Sequence, residues 1–272
     1  MVLIGESDAR AGDVLERLYA GVCENDPPFR RMSLVNAELT KIAVNTYVTM
    51  KISYANTLAD MCERLPGADV EAVTDALGLD TRIGGKYLRG AIAYGGPCFP
   101  RDNKAFGVLA RDLGAEPLLA EATDAVNALQ TDRLARLVQS RLKTGSSVGI
   151  LGLAYKPDTA VIDESPGVAL ARLLGAAGYE VRVYDPVAMD AALQALEGIA
   201  HGSASVGEML ARSDVTVIAT PWPEFADLPI DAIERDRRPI VIDCWRLLSD
   251  ENYGDAIEIV RLGRPLEEAS RV

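Results

Sequence analysis

The sequence predicts an α/β protein: an all-helical first domain joined by a long helix to a doubly wound parallel sheet. Three observations predict it. Up to about residue 144 the apolar residues recur almost wholly with a helical period, whereas beyond Gly145 short apolar runs alternate with helical stretches. The two regimes meet at Thr144-Gly145-Ser146-Ser147, a small polar break. A length of 272 residues accommodates two domains, which we place at 1–144 and 145–272.

Val2-Leu3-Ile4-Gly5-Glu6-Ser7 reads as a strand and its exit, and Asp8 to Ala20 as the helix leading away from it. Within 34–63, Leu39, Ile42, Ala43, Val48, Ile52, Leu58 and Met61 recur close to the helical period and form one stripe of a long helix. Asp69 is a candidate N-cap for a helix over 70–77, because a short carboxylate accepts from the first free amides of a helix. Residues 79–88 read as a turn and short helix, and 103–113 and 117–142 as helices, the last linking the domains. Val148-Gly149-Ile150-Leu151 then suits a strand buried on both faces. A helix over 165–177, a strand over 180–184, a helix over 206–211 and strands over 215–219 and 240–243 follow.

A formal charge of -12 argues against nucleic acid or an anionic membrane as partner, yet leaves room for a local basic pocket that grips a diphosphate. No apolar run approaches the roughly 20 residues that span a bilayer, and no signal peptide is apparent, so a cytoplasmic location is expected. Cys23, Cys62, Cys98 and Cys244 are scattered without a C-x-x-C pair, and His201 is the only histidine, which argues for reduced thiols and against a zinc site.

The densest chemistry lies in Tyr94-Gly95-Gly96-Pro97-Cys98-Phe99-Pro100-Arg101-Asp102-Asn103. The glycines let backbone pack close to a ligand, the prolines stiffen the turn, and Arg101 is placed to favour the thiolate of Cys98. Asp102 is near enough to orient a water or a cationic partner. Taken alone, the segment reads as well as a proline-pinned turn around a buried cysteine. Lys41 and Asn45, four apart, project from one helix face, where a solvated polar stripe is the bland alternative. Ser53 and Asn56 read as packing contacts, Arg82 and Arg89 as surface charges, and Lys156 as a loop lysine.

Four ordered blocks change those readings. The thiol segment, Ala37-Glu38-Leu39-Thr40-Lys41-Ile42-Ala43-Val44-Asn45, Asp80-Thr81-Arg82-Ile83-Gly84, and Gly152-Leu153-Ala154-Tyr155-Lys156-Pro157-Asp158-Thr159 with Glu164-Ser165-Pro166 together resemble the UDP-glucose 6-dehydrogenase, or nucleotide-sugar dehydrogenase, family. The resemblance spans about 37 to 167 and extends more loosely to Ile242-Asp243-Cys244-Trp245-Arg246. It implies a helical central and dimerisation domain followed by a Rossmann-like UDP-binding domain. It also implies NAD-dependent oxidation of a sugar C6 alcohol to a carboxylate, in which Cys98 forms a thiohemiacetal and then a thioester. Lys41 and Asn45 steady the developing oxyanion, and Asp102 positions the hydrolytic water. By the same resemblance, Arg82 reaches the substrate of a neighbouring subunit of a homodimer. The stretch from Tyr87 to Tyr94, with Arg89 and Gly95, lines the sugar pocket, and Lys156 contacts the nucleotide.

The chain also departs from the family pattern. Ala160-Val161-Ile162-Asp163 precedes Glu164 where an acidic pair and an arginine are common, and Arg246 is a candidate substitute contact. No G-x-G-x-x-G occurs in these residues, so the NAD-binding Rossmann domain of the family is not recognised in them. Gly149-Ile150-Leu151-Gly152-Leu153-Ala154 has its glycines wrongly spaced for a dinucleotide, although Asp185 lies where an acid would take a ribose hydroxyl. Three readings follow: part of a nucleotide-sugar dehydrogenase completed by a separate Rossmann-domain chain or truncated, a non-catalytic UDP-sugar-binding dimer, or a degenerate remnant. Which sugar is carried stays open among glucose, N-acetylmannosamine and galactose derivatives, with GDP-mannose a further candidate.

Overall fold

A computed structural model describes residues 1–230, 238–253 and 256–266. The chain opens with two parallel strands, β1 (Val2–Glu6) and β2 (Phe29–Ser33), paired from Val2 with Phe29 to Glu6 with Ser33, and α1 (Ala9–Val22) crosses between them. Asp8 caps α1 by accepting from the Arg10 amide at 2.8 Å. The strand over 29–33 has no counterpart in the sequence reading of a nearly all-helical first part. Its pattern, Phe-Arg-Arg-Met-Ser, carries little apolar alternation. Arg31 finds its partners only in three dimensions, donating to Glu6 at 2.9 Å and pairing with Asp13 and Glu16 of α1.

The long helix α2 (Leu34–Arg64) starts at Ser33, whose hydroxyl accepts from the Asn36 amide, and α3 (Val70–Leu79) starts at Asp69, as expected, with the Glu71 amide 2.9 Å from its carboxylate. No helix forms within 80–88. Gly84 and Tyr87 there adopt left-handed backbone with φ of 69° and 60°, which a right-handed helix excludes. Helix α4 (Phe99–Asp112) begins four residues before the expected start at 103, with Cys98 as its N-cap residue and Pro100 in the first turn, where a missing amide leaves no bond unmade. Helix α5 (Leu118–Ser140) packs with α4 against α2.

The remaining elements are β3 (Ser147–Leu151), α6 (Pro166–Ala176), β4 (Glu180–Tyr184), α7 (Met189–Ala195), β5 (Ala200–Gly202), α8 (Val206–Arg212), β6 (Val215–Ile218), β7 (Ile240–Asp243), α9 (Asp250–Tyr253) and β8 (Glu258–Arg261). Six strands form one parallel sheet in the order β5-β4-β3-β6-β7-β8. The chain winds outward from β3 to one edge and then from β6 to the other, so the winding reverses between these two strands. Neither edge strand was expected from the sequence: β5 is three residues long, and neither shows the apolar run that marks the central ones. Val148 and Ile150 of β3, Val183 of β4 and Val217 of β6 are fully buried with Leu170 and Leu174 of α6. Leu134 and Val138 of α5 join this same cluster, so the linking helix is anchored in the core of the sheet.

Candidate active site

A cavity of about 460 Å³ opens where the winding of the sheet reverses. Tyr155, Lys156 and Pro157 beyond β3, Ala219 and Pro221 beyond β6, and Trp245 beyond β7 form its sheet side. The segment from Tyr87 to Phe99 closes the other. Ligands of doubly wound sheets bind at this crevice, outside the carboxyl ends of strands at the switch point. The wall is largely aromatic and aliphatic, with Arg89 and Lys156 its charged members.

Cys98 lines this cavity and its residue is exposed, while Cys62 and Cys244 are buried. One turn along α4, Asp102 donates its amide to the Cys98 carbonyl at 2.8 Å. The Asp102 side chain is 8% exposed. One carboxylate oxygen accepts from Lys41 Nζ at 2.9 Å and Asn45 Nδ2 at 2.6 Å, and the other from Arg101 Nε at 3.0 Å and Nη2 at 2.9 Å. Burial pushes the Asp102 pKa up, but the bonds from Lys41, Arg101 and Asn45 outweigh it and hold the group below the usual carboxylate range. The i, i+4 spacing of Lys41 and Asn45 does place both on one face of α2. They point at Asp102 and are not among the residues lining the cavity. Arg101, expected to act on the thiol, directs its guanidinium fork to Asp102, with a smaller electrostatic interaction with Cys98.

The glycines before the cysteine line the cavity, and packing within the protein gives a further reason for them. A Cβ on Gly95 would lie 2.2 Å from the Glu164 carbonyl oxygen, and one on Gly96 would lie 2.5 Å from the Tyr155 ring. The Gly96 amide donates to the Asp163 carbonyl at 2.9 Å. The closely approaching partner of the glycines is therefore the β3–α6 loop, which clasps the thiol segment from the sheet side. Asp163, unexpected beside a nucleotide, acts here through its backbone.

Tyr87, Arg89, Tyr94, Gly95 and Lys156 line the cavity together with Cys98. Arg89 donates to the Trp245 carbonyl and pairs with Glu71 at 3.5 Å, and the Lys156 ammonium lies 5.7 Å from the Tyr155 ring centre. Arg82 and Arg246 lie elsewhere. Arg82 is exposed and grips Asp80, with Nη2 2.6 Å from its carboxylate. Arg246, read as a candidate substrate contact, is 7% exposed and binds Asp69 at 2.7 Å, Glu71 at 3.1 Å and the Leu262 carbonyl at 3.1 Å. Its left-handed backbone, φ 55°, accompanies this turn of the side chain to α3, away from the face on which Trp245 meets the cavity. Asp185 is equally committed: its buried carboxylate accepts from the amides of Leu153 (2.7 Å), Ala154 (3.0 Å), Val187 (2.9 Å) and Ala188 (2.7 Å) and from Trp222 Nε1 (3.1 Å). A ribose hydroxyl has no place there.

Phe99, Tyr155, Pro157, Pro221 and Trp245 are lining residues that the sequence analysis did not assign to the cavity. Four of them follow the carboxyl ends of β3, β6 and β7, which is the signal that would have found them once strand order was known. Among the described residues no group of His, Cys, Asp and Glu could hold a metal ion, and no helix is long and apolar enough to cross a membrane.

A switch-point cleft in a doubly wound parallel sheet, closed on its other side by a segment that carries an exposed thiol, defines an α/β protein with the kind of crevice in which such sheets bind ligands. Residues 35–129 match the central domain, and residues 149–250 the UDP-binding domain, of the UDP-glucose/GDP-mannose dehydrogenase family, and the chain belongs to that family. It is 36% identical over 251 residues to the UDP-glucose 6-dehydrogenase AglM of Haloferax volcanii, covering 91% of this chain and 58% of that protein. It is 34% identical over 264 residues to a UDP-glucose 6-dehydrogenase of Rhizobium meliloti, covering 95% of this chain and 60% of that one. A UDP-glucose dehydrogenase structure from the hyperthermophilic archaeon Pyrobaculum islandicum superposes with a TM-score of 0.84 at 35% identity, over 96% of this chain and 57% of its own. The chain thus spans less than two thirds of the length of these relatives.

Proposed function

We propose that this chain supplies the sugar-nucleotide cleft and the reactive thiol of a nucleotide-sugar 6-dehydrogenase, with UDP-glucose the first substrate to test. We draw its domain boundary between residues 144 and 145. The observation that carries the reading is the joint placement of Cys98 in the cleft wall and Asp102 one turn behind it, held by Lys41 and Asn45. In this reading the nucleotide lies on the loops beyond β3, β6 and β7, where Lys156 meets the diphosphate as a point charge. The sugar lies against the wall from Tyr87 to Cys98.

The Cys98 sulfur adds to a C6 aldehyde: the S–C bond forms and the carbonyl electron pair moves onto oxygen. A position at the start of α4 suits that step, because the first amides of a helix favour negative charge. By family resemblance Lys41 and Asn45 steady the resulting oxyanion, which requires them to turn from Asp102, and the ionised Asp102 orients the water that opens the thioester. Oxidation itself requires a hydride acceptor, NAD by family resemblance, and the described residues do not fit one. Among the described residues, the glycine turn after β3 at the switch point has its Leu153 and Ala154 amides filled by Asp185, where a dinucleotide would need them free for pyrophosphate. We therefore assign this chain the grip, the nucleophile and the carboxylate, and leave hydride acceptance to a separate Rossmann-domain chain or other residues.

A homodimer through the long helices belongs to the same proposal. The exposed Tyr47, Tyr54 and Met61 of α2 support it, and exclusion chromatography with light scattering tests it. The test of function is calorimetric titration of the chain with UDP-glucose, UDP and GDP-mannose, beside iodoacetamide labelling of Cys98 read by mass spectrometry. We expect saturable UDP-glucose binding, weakened about tenfold in Lys156→Ala, and slower labelling of Cys98 in its presence. A folded chain that binds no sugar nucleotide, or binds without shielding Cys98, sinks the reading. Stronger shielding by GDP-mannose would reassign the nucleotide.

A further inference from the structure

The cleft wall from Ala91 to Tyr94 belongs to no helix or strand, yet Ala91, Ile92 and Tyr94 are all buried. Buried backbone groups outside regular structure need partners. Two asparagines provide them. Asn56 of α2, fully buried, accepts from the Ala91 amide at 2.8 Å and donates to the Ile92 carbonyl at 2.9 Å. Asn127 of α5 accepts from the Tyr94 amide at 2.8 Å and donates to the Tyr94 carbonyl at 3.0 Å. Each carboxamide presents one donor and one acceptor to this irregular segment, as the backbone of a neighbouring strand would. Aspartate, of the same shape, can only accept once ionised.

The same two helices connect the wall to the rest of the site. Asn56 follows Asn45 by eleven residues, about three helical turns, so one face of α2 holds both the Asp102 cluster and the wall. Asp124, one turn before Asn127, accepts from the Tyr94 hydroxyl at 3.2 Å, so α5 grips Tyr94 at its amide, carbonyl and ring. The Tyr94 ring meets Phe99 edge-on, with centroids 6.2 Å apart, and Phe99 follows the thiol directly.

We propose that Asn56 and Asn127 are positioning residues that fix the register of the wall 91–94 against the sugar and, through Tyr94 and Phe99, the place of the Cys98 sulfur. The ligand rests on the proposed function; the positioning rests on the hydrogen bonds alone. The experiment compares the full chain with Asn127→Asp and Asn56→Asp by amide hydrogen exchange and by affinity for UDP and UDP-glucose. Exchange in the peptide spanning 91–99 rises about tenfold in each variant, with the sheet peptides unchanged. UDP-glucose binding weakens about fivefold while UDP binding stays within about twofold. Gln130→Glu, on α5 but bonded to its own helix at the Val126 carbonyl, leaves that ratio unchanged.

Unaltered exchange over 91–99 overturns the proposal. Equal loss of UDP and UDP-glucose overturns the wall's role towards the sugar, because the variant then acts on the whole cleft. If the wild-type chain binds neither ligand, the proposed function fails, and exchange still decides the positioning. Should the aspartate variants not fold, the neutral Asn127→Ser is read against the same two outcomes.

Discussion

Replacing Gly96 by alanine puts a methyl group where the cleft has none to spare. Its φ is 85°, and the added Cβ would lie 2.5 and 2.6 Å from two carbons of the Tyr155 ring. Two terms follow, and they separate. Left-handed backbone costs a non-glycine residue about 1–2 kcal/mol, and overpacking against a ring costs about 1–3 kcal/mol. Gly96→Ala should therefore destabilise the chain by about 2–5 kcal/mol. In a Tyr155→Ala background the ring is gone and only the backbone part, about 1–2 kcal/mol, is left. Urea unfolding of the four proteins measures the difference, a coupling of about 1–3 kcal/mol. Cys98 lies two residues on, so its iodoacetamide labelling rate should also change in Gly96→Ala and recover in the double variant. Equal destabilisation in the two backgrounds would refute the claim that the β3–α6 loop clasps the thiol segment through this ring.

Arg246→Ala should lower stability by about 2–3 kcal/mol, since it strips a buried guanidinium from Asp69 and Glu71. UDP affinity should stay near wild type, and a large selective loss of affinity would return Arg246 to the ligand. Asp185→Ala leaves three buried amides, the half-buried Val187 amide and a buried indole without their acceptor and should destabilise by about 3–5 kcal/mol in thermal or urea unfolding. A near-neutral result would show that the turn is free to take another anion. Burial raises the Asp69 pKa, but the Glu71 amide, Arg264 and Arg246 outweigh it, so Asp69 titrates low, as Asp102 does. Their contribution to stability is complete above the unfolded value of about 4 and is lost as pH falls through the lowered folded values. Asp69→Asn should accordingly flatten the acid limb of stability against pH, and an unchanged slope counts against the pairing.

Much of the site was legible in linear order because its chemistry is local. Lys41 and Asn45 are one helical turn apart on a helix the apolar period shows, Cys98 and Asp102 share one short segment of glycine, proline and charge, and Lys156 sits in a loop beside an apolar strand. The helical turn from Cys98 to Asp102 was not legible, since the expected helix began at 103. The central strands were legible, their apolar runs being what a doubly covered strand demands. Phe29–Ser33 was not, since its stability comes from pairing with β1 and from Arg31 reaching carboxylates far along the chain. The packing reason for Gly95 and Gly96 was also hidden, because the obstructing atoms belong to Tyr155 and Glu164.

The sequence by itself determined which residues could do chemistry and which family they belong to, since residue type and short spacing are properties of the chain alone. Tertiary structure decided what each one faces. It turned Arg246 to α3, filled the switch-point turn with Asp185 and set Lys41 and Asn45 on Asp102. It also gave Asn56, read as a packing residue, the backbone of the cleft wall. The physical reason is that a side chain's partner is chosen by which helices and loops meet in space, often tens of residues away, and no local period records that meeting.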